Sequence, residues 1–249
     1  MGHSTVVANR KGPPEYASGR SAAFTQATDD YLRSPSADAA LQNFGDVLSW
    51  SLWFKFTAGG LTGEFPRPMQ LLNPSNNNNT VSLLINEFEQ LSFSLRDTSG
   101  TNFKQYITPA ESLNIWNHYV FTWNGTTLLV YRNAVDITNT TVTKFVDDAG
   151  SRSDDTTYWL FGAISTDRLA GKVYSPAVWN TVLTSAEVTE IFNTASTNSY
   201  SANFGNYVSS GSLVHYWDFR RIHDPLNDRA GDMHLFDSSV TPDDTDVPV

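Results

Sequence analysis

Apolar residues fall in short runs along the chain, separated by Gly, Asn, Asp, Ser or Pro. There are about a dozen such runs at spacings of about ten residues, a pattern typical of a sandwich or barrel of antiparallel strands. The run at 48–56 alternates with a period of two, as a strand requires. Its apolar face carries Leu48, Trp50, Leu52, Phe54 and Phe56, and Trp53 faces the other way. The pattern therefore predicts an all-β chain.

Two further runs, 81–85 and 91–97, flank the stretch NEFEQ and predict a hairpin. One face of the second strand carries Leu91, Phe93 and Leu95. Ser92 and Ser94 lie on the opposite face, because successive side chains of a strand alternate. We expect this serine face to contact solvent or a glycan.

A second hairpin is predicted around Asn124 and Gly125, because this pair readily adopts the positive φ angles of a tight turn. The flanking strands, in IWNHYVFTWNGTTLLVYRN, carry apolar residues on both faces. Central strands that are covered by a second layer have this composition.

One segment, 184–195, has the pattern of a helix. Thr184 precedes Glu187 by three residues, which is the spacing of a capping box. The apolar stripe of this helix consists of Val188, Ile191 and Phe192. A single short helix argues against α/β folds, whose parallel strands each need a crossover connection.

The composition limits the possible partners. The chain has 249 residues and no cysteine, which fits one all-β domain and excludes disulfides and thiolate metal sites. Its 16 basic and 26 acidic residues give a net charge of -10, which argues against nucleic acid or an anionic membrane as partner. No apolar run has the length of a signal peptide core or a membrane span. We therefore expect neither Sec export nor membrane insertion.

The two ends differ from the middle of the chain. Residues 1–18 are polar and contain Pro13 and Pro14, which favour an extended N-terminal arm. Residues 19–240 contain the strand-like runs and are predicted to form one domain. Residues 241–249 are acidic and lack any apolar pattern, so we expect an unstructured tail.

Four stretches follow one another in the order of a known family: GRSAAFTQATDDYLRSP, FGDVLSWSLWFKF, IWNHYVFTWNGTTLLVYRNAVDI and RLAGKVYSPAVWNTVLTSAEVTEIF. Together they resemble the laminin-G-like, pentraxin-like branch of the concanavalin A-like jelly rolls over residues 19–220. Asn124 and Ala134 depart from the family pattern, which often has Asp and Gly there. The resemblance implies an antiparallel β-sandwich jelly roll with one short C-terminal helix.

Catalytic motifs are missing. Retaining glycosidases need two carboxylates about 5 Å apart, and the Glu-x-Asp-x-x-Glu motif of enzymes on this jelly roll does not occur. Glu87 and Glu89 have a strand's period but belong to the expected NEFEQ turn. The histidines lack zinc-site spacing, and no G-x-S-x-G elbow supports a Ser-His-Asp triad. They are His3, His118, His215, His223 and His234, of which we expect His118 to be structural. We therefore predict that the protein is not an enzyme.

Three acidic pairs are candidate calcium ligands, since many relatives bind calcium at loop rims and the ion prefers oxygen ligands. They are Asp29 with Asp30, Asp147 with Asp148, and Asp154 with Asp155. Their spacing fits no calcium-loop template, and hydrated surface aspartates are the alternative. We expect no required cofactor, with calcium as the one candidate.

Aromatic residues are candidates for sugar contact, because sugars stack on exposed rings. Five tryptophans match core positions of the family: Trp53, Trp116, Trp123, Trp179 and Trp217. Tyr158 and Trp159 fall where the family usually has a small or aliphatic residue, so they are predicted contacts for a glycan or a protein partner. Trp50 is the second choice. Packing in the core is the alternative for all three.

Three classes of function remain. A non-catalytic structural or adhesion protein of a phage-like particle, such as a capsid decoration or fibre protein, would explain the polar ends and the glycan-binding fold. Its partners would be neighbouring subunits, held through arm and tail, and surface glycans, and its location would be the virion. The alternatives are a secreted extracellular lectin or adhesin and a polysaccharide-cleaving glycoside hydrolase. We predict the particle protein, although a fold does not fix a function.

Overall fold

The computed structural model describes residues 21–25, 30–34, 47–57, 65–72, 79–97, 99–150, 158–162, 168–194, 199–217, 228–230, 235–238, 241–243 and 248. Within these residues, two eight-stranded antiparallel sheets face each other, and one α-helix, α1, spans Ser185–Thr194. This arrangement confirms the predicted all-β sandwich with one short helix. Neither the length nor the composition of α1 would let it cross a bilayer.

Sheet A contains, in spatial order, β10 (Val135–Asp136), β9 (Leu128–Arg132), β8 (Trp116–Trp123), β3 (Leu48–Phe56), β13 (Gly171–Trp179), β1 (Ser21–Phe24) and β16 (Thr241–Asp243), with β14 (Leu213–Tyr216) beside β13. Sheet B contains β11 (Thr143–Asp147), β7 (Asn102–Ala110), β6 (Gln90–Arg96), β5 (Asn79–Ile85), β4 (Met69–Leu72), β12 (Tyr158–Gly162), β2 (Tyr31–Arg33) and β15 (Phe236–Ser238).

Aromatic rings fill the space between the sheets. Trp50 of β3 lies 4.7 Å from Phe93 of sheet B and 5.2 Å from Phe121 of β8, measured between ring centroids. Phe93 and Phe121 are stacked at 3.7 Å. Full burial of each such side chain contributes about 1.5–3 kcal/mol to folding. The alternating apolar positions of the strands therefore build one core.

Both predicted hairpins are present. NEFEQ connects β5 to β6, with Ile85 paired to Leu91. At the β8–β9 turn Gly125 has a φ of 89°, but Asn124 does not adopt a positive φ. Instead the Oδ1 atom of Asn124 accepts hydrogen bonds from the backbone N–H groups of Thr126 and Thr127, at 3.0 and 2.7 Å. Positive φ angles were predicted for both Asn124 and Gly125, and only Gly125 has one. The side chain of Asn124 stabilises the turn instead, in an Asx turn.

A second apolar layer covers the outer face of sheet A. Helix α1 packs Val188 and Ile191 against the sheet, next to the segment 199–212. Trp179 of β13 donates from Nε1 to the hydroxyl of Tyr207 at 2.8 Å, which ties this segment to the sheet. The predicted capping box is present, since the backbone N–H of Thr184 donates to Glu187 at 2.9 Å.

The sandwich extends beyond the predicted domain boundary at residue 240. Thr241–Asp243 forms β16, which pairs with β1 so that Ser21 faces Asp243. Pro242 is tolerated because β16 is an edge strand of sheet A. The expectation of an unstructured tail at 241–249 is therefore wrong for its first three residues. The predicted arm, 1–18, lies outside the described residues.

Candidate functional site

The outer face of sheet B carries a row of polar residues across four adjacent strands. Gln70 pairs with Ser82, Ser82 with Ser94, and Ser94 with Gln105. Register partners on neighbouring strands point to the same side of a sheet. Their sequence neighbours in the core between the sheets are Leu71, Leu83, Leu95 and Tyr106. We call Gln70, Ser82, Ser94 and Gln105 the polar row.

The short side chains of this face are buried. Ser92 and Ser94 are each 1% exposed, so the prediction that they contact solvent or a glycan is wrong. Strands lie about 4.8 Å apart, and the hydroxymethyl group of a serine lies below the ends of longer neighbours on the same face. Serines at these positions can form the floor of a site but not its surface.

Three polar atoms of this floor lack a hydrogen-bond partner among the described residues. They are Oγ of Ser82, Oγ of Ser94 and Oε1 of Gln70. Buried polar groups in folded proteins are nearly always hydrogen-bonded, to protein, water or ligand. The middle of the polar row is therefore suited to hold buried water molecules.

A directional chain of hydrogen bonds borders the floor on β6 and β7. Arg96 Nε donates to Asn102 Oδ1 at 2.8 Å, and Asn102 Nδ2 donates to Gln105 Oε1 at 3.2 Å. Gln105 Nε2 then donates to Ser92 Oγ at 3.1 Å. Each side chain is held in one orientation by the next, and Arg96, Asn102 and Gln105 are half-buried, so they remain reachable. We call these three residues the polar edge.

Arg96 brings a positive charge to the polar edge. Burial, and next the charge of nearby Arg67, lower the pKa of Arg96 from its ordinary value. An arginine with a lowered pKa is still protonated at neutral pH. The face therefore presents a fixed cation beside neutral hydrogen-bonding groups.

An exposed aromatic residue lies beside the polar edge. Phe145 on β11 is 69% exposed. It occupies an irregularity between Lys144, which pairs with Tyr106, and Val146, which pairs with Gln105. This places the backbone of Phe145 next to Gln105. The combination of an exposed ring with oriented polar groups is suited to a sugar.

These residues are not among those predicted from the sequence, where tryptophan and tyrosine were the expected sugar platforms. Phe145 is the one aromatic residue in the polar run TTVTKFVDD. An aromatic residue that stands alone among polar ones indicates an exposed ring, and this signal was present in the sequence. The polar edge had a weaker signal, since polar and apolar residues alternate along β6.

The predicted aromatic contacts are in the core. Trp159 is 0% exposed and lies edge-to-face with Trp217 at 5.6 Å. Trp50 is 1% exposed between the phenyl rings described above. A ring without accessible surface cannot stack on a sugar, so the prediction of glycan contact by Trp159 and Trp50 is wrong. The side chain of Tyr158 lies outside the described residues.

The family-core tryptophans follow the sequence prediction more closely. Four of the five, Trp53, Trp123, Trp179 and Trp217, are buried, and Trp116 is partly exposed.

Of the candidate calcium ligands that the structure describes, Asp30 is not brought together with Asp147 and Asp148. Asp30 precedes β2, and Asp147 ends β11, six strands away in sheet B. At about 4.8 Å a strand this is about 29 Å. Asp30 Oδ2 accepts hydrogen bonds from the N–H and hydroxyl groups of Thr25 at 2.8 and 3.0 Å.

Asp147 already has a cationic partner. Its Oδ1 atom accepts hydrogen bonds from Lys104 Nζ at 2.6 Å and from the Tyr106 hydroxyl at 2.8 Å. Burial acts to raise the pKa of Asp147, but these two bonds and the lysine charges outweigh it and lower the pKa. Asp148 is exposed.

The described residues contain no cluster of three or more metal-ligating side chains. Asp29, Asp154 and Asp155 lie outside them. Calcium binding stays a prediction.

The two glutamates with a strand's period lie in the β5–β6 turn, as predicted. Glu87 is exposed, and Glu89 has a φ of 60° and bonds through its backbone to Asn86 and Glu111.

His118 is structural in its surroundings. It is fully buried, its Nε2 atom lies 2.8 Å from Ser51 Oγ, and burial lowers its pKa to about 3. Its Nδ1 atom has no hydrogen-bond partner in the described part of the chain. The Ser51–His118 pair therefore lacks the carboxylate that would orient a triad histidine.

Comparisons with known proteins agree with this architecture. Residues 26–189 match the sequence profile of a laminin G family described as the Concanavalin A-like lectin/glucanases superfamily. No curated protein sequence matches the chain.

Several solved structures are similar in fold. A candidate carbohydrate-binding protein from Bacteroides ovatus superposes with a TM-score of 0.60 at 11% identity, over 94% of this chain and 62% of that one. The heptameric SAP-like pentraxin of Limulus polyphemus superposes with a TM-score of 0.54 at 14% identity, over 90% of this chain and 96% of that one. Trypanosoma rangeli sialidase reaches a TM-score of 0.45 at 14% identity, over 61% of this chain and 23% of that one, which supports no inference.

The chain spans about three fifths of the length of the Bacteroides ovatus protein, and identities this low show a shared fold alone. The profile match covers more than half of the chain and lies within residues 19–220, where the sequence motifs resemble the family. The chain belongs to the Concanavalin A-like lectin/glucanases superfamily.

Proposed function

We propose that the protein is a non-catalytic carbohydrate-binding protein, and that it contacts glycans on the outer face of sheet B where β6, β7 and β11 meet. The binding residues are the polar edge, Arg96, Asn102 and Gln105, together with Phe145. The hydrogen-bond chain from Arg96 to Ser92 carries this proposal, because it holds three polar side chains in fixed orientation on an otherwise uncommitted face.

The chemistry of these groups suits a sugar. Planar amide and guanidinium groups donate and accept in defined directions, as the hydroxyl groups of a sugar ring require. Holding them in place before binding reduces the entropy lost when the ligand is bound. Phe145 supplies an exposed ring against which the C–H face of a sugar can pack.

The enzymatic alternative is less favoured. Glu87 and Glu89 lie on a turn at the end of β5 and β6, away from the polar row in the middle of these strands. The sialidase likeness is too distant to add support. Reducing-sugar release from polysaccharides, abolished by Glu87→Gln or Glu89→Gln, would establish the enzyme instead.

On the sequence alone, we place this glycan-binding sandwich in a phage-like particle, as a decoration or fibre protein held to neighbouring subunits through its polar ends. A secreted lectin is the alternative. Thr241–Asp243 already pairs with β1, so the contacts would be made by the rest of the ends. Immunogold labelling of particles from the source, compared with the soluble fraction, distinguishes the two locations.

A glycan array tests the proposed site. Wild type should bind a defined set of glycans, and Gln105→Ala should weaken binding about three- to tenfold, the value of one or two hydrogen bonds. Phe145→Ala should have a similar effect. Phe88→Ala is the matched control, because Phe88 is 66% exposed but lies on the β5–β6 turn. Absence of binding by wild type, or equal losses in both phenylalanine variants, would overturn the proposal.

A further inference from the structure

We infer that one end of the sandwich binds the N-terminal segment, residues 1–20, of a neighbouring copy of this chain. This inference rests on the subunit contacts proposed above and adds the surface that receives them, whereas the glycan site on sheet B does not enter it. Large exposed apolar side chains are concentrated at the end of the sandwich where β5 turns into β6. Five of the seven in the described residues lie there, and we call them the apolar end: Phe65, Phe88, Leu113, Ile115 and Val135.

A backbone hydrogen bond joins the β5–β6 turn to the loop between β7 and β8. Phe88 lies on the turn, and the carbonyl of Glu89 accepts from the N–H of Glu111 at 2.9 Å. Glu111 begins the loop that carries Leu113 and Ile115. Three of the five apolar side chains are therefore on adjoining loops.

Val135 and Phe65 lie at the same end. Val135 pairs with Arg132, whose Nη1 atom donates to both carboxylate oxygens of Glu111, at 3.1 and 3.0 Å. Register partners point to the same side of a sheet, so Val135 lies on the side of the Glu111 loop. The carbonyl of Pro66, next to Phe65, accepts from the last residue of β5 at 2.8 Å. Monomeric soluble proteins rarely expose large contiguous apolar patches, and such patches mark interaction sites.

The loops of the apolar end are held in place. The N–H of Asn114 donates to the carbonyl of Phe56 at 2.7 Å, and Asn86 Oδ1 accepts from the N–H of Phe88 at 3.0 Å. Non-glycine residues with a positive φ persist where the surrounding structure enforces them, which is common at functional sites. Among the described residues, four of the five lie in these turns: Glu89, Asn114, Asn133 and Ala134. A surface that is fixed before binding loses less entropy when its partner arrives.

The charge around the apolar end is negative. Glu87 and Glu89 flank Phe88, and neither forms an ion pair within the described part of the chain. The guanidinium at this end is neutralised by the loop carboxylate, and Lys55 Nζ lies over the Trp116 ring, 5.9 Å from its centroid. Two such acidic ends would repel each other, which argues against an end-to-end dimer. The surface instead fits an apolar segment that carries cations.

Residues 1–20 have this composition, although they lie outside the described residues. The apolar pair Val6 and Val7 is followed by the basic pair Arg10 and Lys11. The segment contains three basic residues and one acidic residue, in a chain with a net charge of -10. It is therefore a basic part of an acidic protein, and opposite charge favours its contact with Glu87 of a neighbouring copy.

The direction of β1 favours a neighbouring copy over the same one. The end of β1 is in register with the end of β3, which is bonded to the apolar end. Ser21, the first residue of β1, is therefore the one farther from the apolar end. A segment joined to Ser21 meets the apolar end of a copy placed head to tail without reversing its direction. Twenty residues extend to about 70 Å at most, against about 30 Å for the nine-residue strand β3.

Sedimentation velocity of the full chain tests this contact. We expect species heavier than the monomer, which increase with protein concentration, because head-to-tail contacts form rings or filaments. Phe88→Ser and Ile115→Ser should each weaken association about tenfold or more, the value of burying one large apolar side chain. Val208→Ser is the matched control. Val208 is as exposed as Phe88, but it belongs to the segment 199–212 on the outer face of sheet A.

An exchange of charges identifies the occupant. Reversing the basic pair with Arg10→Glu and Lys11→Glu should weaken association about tenfold, because the segment would then meet carboxylates of its own sign. Adding Glu87→Lys and Glu89→Lys to the same chain should restore most of the lost affinity.

Each outcome decides the question. A chain that is monomeric at every concentration overturns the inference, and so do equal losses in Phe88→Ser and Val208→Ser. Association that survives reversal of the basic pair assigns the occupant to another surface of the neighbouring copy and also overturns it. Glycan binding by Phe88→Ser should equal that of wild type, so the two sites fail separately. Confirmed association of a protein that immunogold finds only in the soluble fraction removes the particle role and leaves this inference standing.

Discussion

Serines on the two outer faces of the sandwich have opposite surroundings. On sheet A, Ser49 Oγ donates to the carbonyl of Thr181 at 2.6 Å and accepts from the N–H of Leu183 at 2.9 Å. On sheet B, the hydroxyl groups of Ser82 and Ser94 have no partner in the described residues. All three serines are buried.

On sheet A the buried serine hydroxyl both donates and accepts a hydrogen bond, whereas on sheet B the buried serine hydroxyls form none with the described residues. Ser49 fastens the connection that leads into α1. Apolar residues, many of them aromatic, complete the cover on this face of sheet A. The sheet B serines belong to a polar row bordered by oriented amides and a cation. The same residue type therefore forms structural hydrogen bonds on one face and lacks a described partner on the other.

A substitution in the apolar layer that covers sheet A should lower the free energy of unfolding most. Trp179→Ala deletes a buried indole and its hydrogen bond to Tyr207, and we expect the free energy of unfolding to fall by about 4 kcal/mol. Urea denaturation measures this value. Trp116→Ala, which removes a partly exposed tryptophan from the same sheet, should cost less than half as much. Equal losses would show that the cover does not act as a second core.

Acid should weaken the same cover through His118, which packs beside the stacked rings of Trp53 and Phe192. Its folded pKa of about 3 lies below the ordinary histidine pKa of 6.5, so the unfolded chain takes up the proton first. Stability is therefore lost as pH falls below about 6.5, by about 3 kcal/mol at pH 4. Denaturation between pH 7 and 4 should show this slope in wild type. Its persistence in His118→Phe would assign the slope to another group.

The N-terminal cap of α1 should contribute less to the free energy of unfolding than Trp179 or His118. Burial acts to raise the pKa of Glu187, but hydrogen bonds from Ser209, Thr184 and Val208 outweigh it and lower the pKa. The contribution is present above the unfolded pKa and is lost as pH falls through the folded one. Glu187→Gln should cost about 2 kcal/mol at pH 7, a difference that shrinks below about pH 4.5. The exposed Glu87→Gln serves as control, and an equal loss there would rule out the cap as the cause.

The smallest expected changes in stability come from substituting one serine on each face, which compares the two serine environments directly. Ser49→Ala leaves the N–H of Leu183 without its acceptor and should cost about 1.5 kcal/mol. Ser94→Ala removes a hydroxyl that has no protein partner, so we expect a change of less than about 0.5 kcal/mol. A larger cost for Ser94→Ala than for Ser49→Ala would contradict the contrast between the faces.

Local signals allowed much of the fold to be predicted. The NEFEQ hairpin and the capping box of α1 depend on residues within a few positions of one another, and both are present. The family motifs added strand order. β16 was missed, because TPD has no apolar pattern and pairs with β1 across the whole length of the chain.

The site was predicted less well for a physical reason. The alternation of apolar and polar residues shows which residues share a face of a strand. It does not show which of the two faces another layer will cover. Trp50 and Trp159 were possible surface rings in the sequence and are core residues in the fold. Gln70 and Gln105 are separated along the chain by β5 and β6, and only the sheet register brings them to one face.

Hydrophobic period and turn chemistry are local properties, so a sandwich of alternating strands with one capped helix could be predicted from the order of residues. The folded chain was needed to show which polar residues share a face, which rings are enclosed and which of the described hydroxyl groups lack partners. These properties depend on strand order and register, which join residues that are far apart in the chain.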